Sequence, residues 1–230
     1  TRSWKFSMVK DKMLAHLPEK TARVFLTLAR AGKQKQVLAE FVLVGGTALA
    51  MHLGHRQSED LDFFRDGTHL EKAKLFSFFK RNDLDYTIMA EPSAEQVDLR
   101  IMDVKVSFFA SGFDCLKRVN NIQFHNIEIA SLELITALKV YTLSLRSVLR
   151  DYYDLYVLNR EIFPLERMFA ISRDLLRMGT FKLFTQQLLY TQDIEESEMG
   201  QHLLAKFPVS RDDIRAHFQA VIKKYYESLQ

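Results

Sequence analysis

Cysteine is almost absent: Cys115 is the only one in 230 residues. A disulfide scaffold is therefore excluded, and a lone thiol fits a reducing compartment. Proline and glycine are scarce, at 4 and 8 residues, which excludes collagen-like and Pro/Gly-rich disordered chains. Long apolar runs are missing too. The longest mainly apolar stretch, residues 41–51, contains Gly45 and Gly46 and falls well short of the ~20 residues that span a bilayer, so no membrane segment is expected. The opening Thr-Arg-Ser-Trp-Lys-Phe has no apolar signal core, so nothing in it argues for export, and a start without Met suggests an omitted leader or tag. Charge of one sign is lacking as well. With 32 basic against 29 acidic residues the formal charge is +3, so any basic surface must be local. What is present is 47% hydrophobic and 12% aromatic residues. That is enough to build one large or two small domains with a proper core. The expectation is a globular cytoplasmic protein.

Two patterns divide the chain. Residues 19–31 read as a helix with Val24, Leu28 and Ala31 on one stripe, followed by a polar link at residues 32–36. Phe41-Val42-Leu43-Val44 is a short buried strand ending at Gly45-Gly46, with a helix from Thr47 to Leu53. Leu61-Asp62-Phe63-Phe64 reads as the next strand, and residues 70–81 as a helix burying Phe76 and Phe79. Alternation then predicts a hairpin, with Val97, Leu99 and Ile101 facing Val104, Val106 and Phe108 across Met102-Asp103. Residues 122–129 carry weaker strand signals. After Ser131 the pattern is helical. Leu134, Leu138, Tyr141, Leu145, Val148, Tyr152 and Tyr156 fall within about 40° of one line, which predicts one strong helix, bent near Asp151. Lys139, Arg146 and Arg150 then form a basic stripe opposite, with Arg150 and Asp154 spaced for an i,i+4 pair. Further helices are expected over residues 164–178 and 181–190 and from Ser210, where Asp213 has capping-box spacing, with an acidic loop at 193–198. The fold expected is α/β (α+β) with a mixed sheet, in two domains: an α/β core at 1–130 with an N-terminal helical lead, and a helical domain at 131–230.

The chemistry sits in one stretch. Gly45-Gly46-Thr47 follows a buried strand, and Asp60-Leu61-Asp62-Phe63 comes thirteen residues after Thr47. Two glycines allow close approach of a ligand to the backbone, and the next helix N-terminus aims free N–H groups at an anion such as phosphate. Asp60 and Asp62, two apart on a strand, put both carboxylates on one face. Side by side they repel unless a cation lies between them, and Mg²⁺ bridged to nucleotide phosphates is the usual solution. Each half is common alone, since Gly-Gly marks ordinary turns and Asp-x-Asp solvated ones. Here the acids interrupt an apolar strand at a set distance from the glycines.

The segment Gly45-Gly46-Thr47-Ala48-Leu49-Ala50 through His55-Arg56-Gln57-Ser58-Glu59-Asp60-Leu61-Asp62-Phe63-Phe64 resembles the signature of the DNA polymerase beta-like nucleotidyltransferase superfamily. More narrowly, it resembles the AbiEii/AbiGii toxin family, whose helical motif is matched by Ala137-Leu138-Lys139 and Arg150-Asp151-Tyr152-Tyr153-Asp154-Leu155. The likeness covers roughly residues 41 to 160. It implies transfer of a nucleoside monophosphate from an NTP to an acceptor with release of pyrophosphate. The acceptor would be an RNA, tRNA first, and an antitoxin protein a possible partner. On the resemblance Asp60 and Asp62 hold Mg²⁺ (or Mn²⁺), and Gly45, Gly46, Thr47, Arg56 and Ser58 bind or shape the nucleotide phosphates. Lys139 neutralises phosphate charge and Asp151 completes the catalytic set.

One feature departs from the superfamily, which commonly supplies a third carboxylate from a neighbouring strand. Here Lys105 or Ser107 stands where that acid is expected, while Asp98 and Asp103 are near but without an assigned register. Either the acid comes from elsewhere, or two suffice, or the enzyme is weakened. Two other readings therefore stand beside the first: a nucleotide- or RNA-binding protein of the same fold, and an enzyme modifying a small, antibiotic-type acceptor. Other residues have plainer readings. Arg56 binds phosphate or pairs with Glu59 or Asp60, His52 and His55 are structural, Cys115 is a bystander thiol, and the phenylalanines are core rather than a stacking platform.

Overall fold

A computed structural model describes residues 11–31, 37–191, 194 and 204–230. The polar link at 32–36 and nearly all of the acidic stretch at 193–198 lie outside these residues. Two compact units divide the chain, Thr1–Leu132 and Glu133–Gln230.

The first unit is built on a seven-stranded mixed sheet. In chain order its elements are α1 (Glu19–Arg30), β1 (Val42–Val44), α2 (Gly45–Leu53), β2 (Leu61–Arg65), α3 (Lys72–Arg81), β3 (Thr87–Ser93), β4 (Gln96–Ile101), β5 (Val104–Ala110), β6 (Ile122–Phe124) and β7 (Ile127–Ile129). The spatial order is β3-β4-β5-β2-β1-β7-β6, with β2 parallel to β5 and β1 parallel to β7. Strand alternation sorts the faces. Leu61, Phe63, Val97, Leu99, Val106 and Phe108 are all fully buried on one side, each contributing roughly 1.5–3 kcal/mol. Phe108 is the hub there, with Phe41, Phe63 and Phe79 ring centroids 5.1, 5.2 and 5.9 Å away. Asp62, Ser107 and Asp98 occupy the opposite side.

The hairpin expected at Met102-Asp103 is present, with φ of 47° and 64° at its two central residues. Positive φ at both is the requirement of a type I′ turn, met here without glycine. Two details differ from expectation. Strand β3 had no signal of its own because all seven residues, Pro92 included, are exposed and leave no alternation to read. Phe76 is only half-buried, stacked on Tyr86 at 5.5 Å, while Leu75, Phe78 and Phe79 fill the core side of α3.

The second unit is helical: α4 (Leu132–Leu143), α5 (Leu149–Glu161), α6 (Leu165–Leu176), α7 (Phe181–Leu189) and α8 (Arg211–Glu227). The single long helix read through residue 156 is two helices, broken at residues 144–148. Ser144 and Leu145 close tight turns onto Tyr141 and Thr142, Val148 is extended (φ −120°, ψ 130°), and Leu145 is 67% exposed instead of buried. The apolar phase ran through the break because neither Pro nor Gly marks it. With the helix broken, the basic stripe dissolves, and Asp154 pairs with Lys139 instead of Arg150. The capping box at α8 forms as expected, Ser210 and Asp213 each accepting the other's backbone N–H. Tyr152 anchors α5 to α7, its hydroxyl sharing its one proton between the carbonyls of Gln187 and Tyr190.

His217 on α8 lies 2.7 Å from Asn159 Oδ1 and edge-on to Tyr156. Burial, helped by the Arg160 charge, holds its pKa below the ordinary 6.5. The folded state thus prefers neutral His217, and that stability is complete above about pH 6.5 and lost as pH falls through it. The melting temperature is expected to fall as pH drops below about 6.5 towards the depressed pKa of His217. His217→Gln, which keeps a donor towards Asn159, should flatten part of that slope in calorimetry.

Candidate active site

Strand β1, helix α2 and strand β2 assemble the first group of candidate residues. Gly45 opens α2 with φ +74°, and a Cβ built there would lie 2.9 Å from Asp62 Oδ2. Gly46 is under the same restriction from another side, since a Cβ would strike the Arg56 guanidinium and lie 3.1 Å from Ser58 Oγ. Close approach restricts both positions, by the carboxylate at Gly45 and by the guanidinium at Gly46, and at Gly45 the left-handed φ adds to the restriction. Arg56 is 5% exposed and held by its Nη1 donating to the Gln57 carbonyl at 2.9 Å. Thr47, 1% exposed, bonds to Ser58 Oγ at 2.9 Å and donates a short bond to the Asp60 carbonyl. That clamp fixes the residue just before β2, whose Asp62 pairs in register with Val44 on β1 and Ser107 on β5. Gly45, Gly46, Thr47, Arg56, Ser58, Asp60 and Asp62 thus converge on one end of two central strands.

Opposite charges meet at this point. The N-terminus of α2 carries the positive end of the helix dipole, its N-cap Val44 offers no side-chain acceptor, and Arg56 adds a full positive charge at Gly46. Asp62 lies on the other side, at Gly45. An anion is suited to the first part and a cation to the second. Among the described residues no group of three or more His, Cys, Asp or Glu could cage a metal.

The second group lies in the helical unit. Lys139 Nζ sits 2.6 Å from Asp151 Oδ1 and 2.6 Å from Asp154 Oδ2, and Arg146 Nε donates to Asp151 Oδ2 at 2.9 Å. The Lys139, Asp151 and Asp154 side chains are 9%, 2% and 0% exposed. Lys139 is thus a buried counter-ion for two carboxylates, while Arg146 stays largely in solvent.

Comparison with known proteins decides the class. The model of the nucleotidyl transferase AbiEii toxin family, of type IV toxin–antitoxin systems, matches residues 28–229. The chain belongs to this family. It is a toxin-type nucleotidyltransferase. An uncharacterized protein of Aquifex aeolicus (strain VF5) is 27% identical over 192 residues, 82% of this chain and 89% of that protein. Solved structures share the fold. A putative nucleotidyltransferase from Helicobacter pylori aligns at TM-score 0.54 and 21% identity over 94% of this chain and 97% of its own. The nucleotidyltransferase toxin MenT4 from Mycobacterium tuberculosis aligns at 0.53 and 17% identity over 94% and 89%. The family match also reaches across α6 to α8, where the sequence offered no motif.

Within this AbiEii-family enzyme the register question has an answer. Asp62, Ser107 and Asp98 lie in one row across β2, β5 and β4. Ser107 occupies the position beside Asp62, and Asp98 is one strand further, about 10 Å away at two strand spacings. Its carboxylate is already engaged by Gln96 Nε2 at 2.9 Å and Lys105 Nζ at 3.5 Å. Burial pushes the Asp98 pKa up, but hydrogen bonds from Gln96 and Ser107 and the Lys105 charge outweigh it and hold the pKa low. Only strand pairing shows this, so the sequence alone left it open.

The glycine geometry gives a sharp test. Gly45→Ala forces an alanine into the left-handed region, at about 1–2 kcal/mol, and drives its Cβ against Asp62. The expected result is a fall of a few degrees in melting temperature. Nucleotide transfer should drop about 100-fold, because a displacement near 1 Å of a reacting group costs that much.

His52 and His55 keep structural roles. His52 Nε2 bonds the Ala130 carbonyl at 2.8 Å, and His55 is fully buried. Cys115 is buried and its thiol pKa pushed up by that burial, so it stays a neutral bystander.

Proposed function

We propose that the enzyme moves a nucleoside monophosphate from an NTP to an RNA acceptor, tRNA first, in the cytoplasm. The carrying observation is the junction of opposite charges at Gly45 and Gly46: a helix N-terminus and Arg56 for the phosphates, Asp62 for a cation. An acceptor hydroxyl oxygen bonds to the α-phosphorus, the bond from that phosphorus to the β-phosphate oxygen breaks, and pyrophosphate leaves. The hydroxyl proton passes to water. Asp60 and Asp62 would hold Mg²⁺ (or Mn²⁺), which supplies charge neutralisation on the triphosphate. Arg56 and the α2 N–H groups orient the phosphates, Ser58 and Thr47 fix the loop that carries Asp60, and the glycines keep the backbone close to the nucleotide. Such transfer is mostly positioning and charge neutralisation, which is what these residues offer. On family resemblance alone, Lys139 and Asp151 join as the phosphate-neutralising and set-completing residues, and an antitoxin protein is the expected partner.

The test is incubation of the protein with Mg²⁺, each α-labelled NTP in turn, and total RNA. A labelled RNA band supports the proposal and names both nucleotide and acceptor. Ser107 beside Asp62 favours a second reading, a weakened enzyme that binds nucleotide or RNA without turnover. Thermal stabilisation by NTP and Mg²⁺ with no labelled product would select it. Label on small acceptors but not on RNA would select an antibiotic-type acceptor instead.

A further inference from the structure

The second unit carries a chain of aromatic rings that runs from its core to its surface. Phe184, 2% exposed, stacks on Phe169 at 5.8 Å; Phe169 meets Phe181 at 5.2 Å; Phe181 meets Tyr225 at 4.4 Å and Tyr226 at 6.3 Å. Tyr226 is 43% exposed, and Phe181, expected from the sequence to be core, is only half-buried. The buried end fixes the rings, so the outer faces are held without ordering cost when something stacks on them.

Cations accompany this chain along its length. The Arg173 guanidinium lies 5.9 Å from the Phe169 ring centroid. Exposed Lys182 follows Phe181, and exposed Lys223 lies one turn before Tyr226 on α8, 3.8 Å from Glu227. Over residues 173–182 and 223–227 there are five cations (Arg173, Arg177, Lys182, Lys223, Lys224) against two acids, Asp174 and Glu227. Phe181 also begins α7, a nine-residue helix with no acid in its first turn, whose N-cap Thr180 accepts from Leu183 N. Arg177 takes the left-handed cap of α6 at φ 53°, a position where glycine is the unstrained choice. Rings with fixed outer faces, surplus positive charge and a helix N-terminus free of acid match a strand that offers alternating bases and phosphates. An apolar protein partner would not call for the cations.

We infer that this surface binds the single-stranded end of an RNA, its bases stacking on Tyr226 and Phe181 and its phosphates meeting Lys182, Lys223 and the start of α7. The inference deepens the RNA-acceptor reading above and rests on it. The test measures fluorescence anisotropy of a labelled single-stranded oligoribonucleotide of about ten nucleotides, with the full chain, without NTP, across a salt series. Tyr226→Ala should weaken binding about tenfold, while Tyr226→Phe, which keeps the ring, should stay near wild type. Lys182→Ala with Lys223→Ala should lower the slope of log affinity against log salt by about 1.4, at about 0.7 per phosphate contact on single strands. Blunt duplex RNA should be indifferent to Tyr226→Ala.

Equal affinity of the wild-type and Tyr226→Ala proteins for the single strand overturns the inference. So does a Tyr226→Ala effect that appears only on a protein complex, which would make the surface a protein interface. RNA labelling by α-labelled NTP, run on the same samples, separates the two claims. Tyr226-dependent binding without labelling leaves the surface standing and removes the transfer reading. Labelling with Tyr226-independent binding does the reverse.

Discussion

Asp62→Ala is expected to abolish labelling of the acceptor, by a factor of about 1,000 or more, with the fold unchanged. The carboxylate lies at the ligand-facing end of β2, against Gly45, and its only expected task is electrostatic. Removing one preorganised charge-stabilising group from a transfer site costs about 100- to 1,000-fold. A carboxylate that also holds the cation should lie at or above the upper end. Stability should move little, by about 0.5 kcal/mol, because Asp62 is only half-buried. Asp62→Asn separates charge from shape: it should be as inactive as Asp62→Ala, because the amide oxygen fits the space and lacks the charge. The checks are the labelling assay and a melting curve on the same preparation. Retained transfer by a folded Asp62→Asn protein would remove Asp62 from the chemistry and with it the proposed use of the Gly45 junction. Asp60 is exposed and its backbone carbonyl is held by Thr47, so Asp60→Ala tests the second carboxylate without disturbing the clamp.

The residues legible in the sequence are those whose physics is local. Gly45, Gly46, Asp60 and Asp62 stand out because a buried strand, a turn that needs glycine and an acid interrupting an apolar strand all fall between Phe41 and Asp62. The hairpin at Met102-Asp103 was readable for the same reason, since alternation on both arms leaves just two residues to turn. What stayed hidden depends on partners far along the chain. That Ser107 separates Asp62 from Asp98 is a fact of strand pairing between β2, β5 and β4, which no spacing encodes. Strand β3 stayed hidden for lack of any buried face. The C-terminal helices were foreseen by period, yet the outward path of rings from Phe184 to Tyr226 joins α6, α7 and α8, and a stripe on one helix cannot show it.

Lys139 shows best how a sequence reading and a structure can assign one residue different work. Helical phase put it on a solvated basic stripe, and the break at residues 144–148 instead turns Asp151 and Asp154 onto its ammonium. Lys139→Met takes that shared ammonium away from two carboxylates that are 2% and 0% exposed. Breaking a buried ion pair by removing one partner costs about 3–5 kcal/mol, so the melting temperature should fall by more than about 10 °C. Any loss of activity in that variant would then be uninterpretable on its own. Lys139→Met with Asp154→Asn resolves it: one carboxylate is neutralised in place, Asp151 keeps Arg146, and most of the lost stability should return. A stable, inactive double variant assigns Lys139 to the nucleotide phosphates, as the family likeness implies. A stable variant that still labels its acceptor assigns Lys139 to holding α4 and α5 together, and leaves the charge neutralisation to Arg56 and the start of α2.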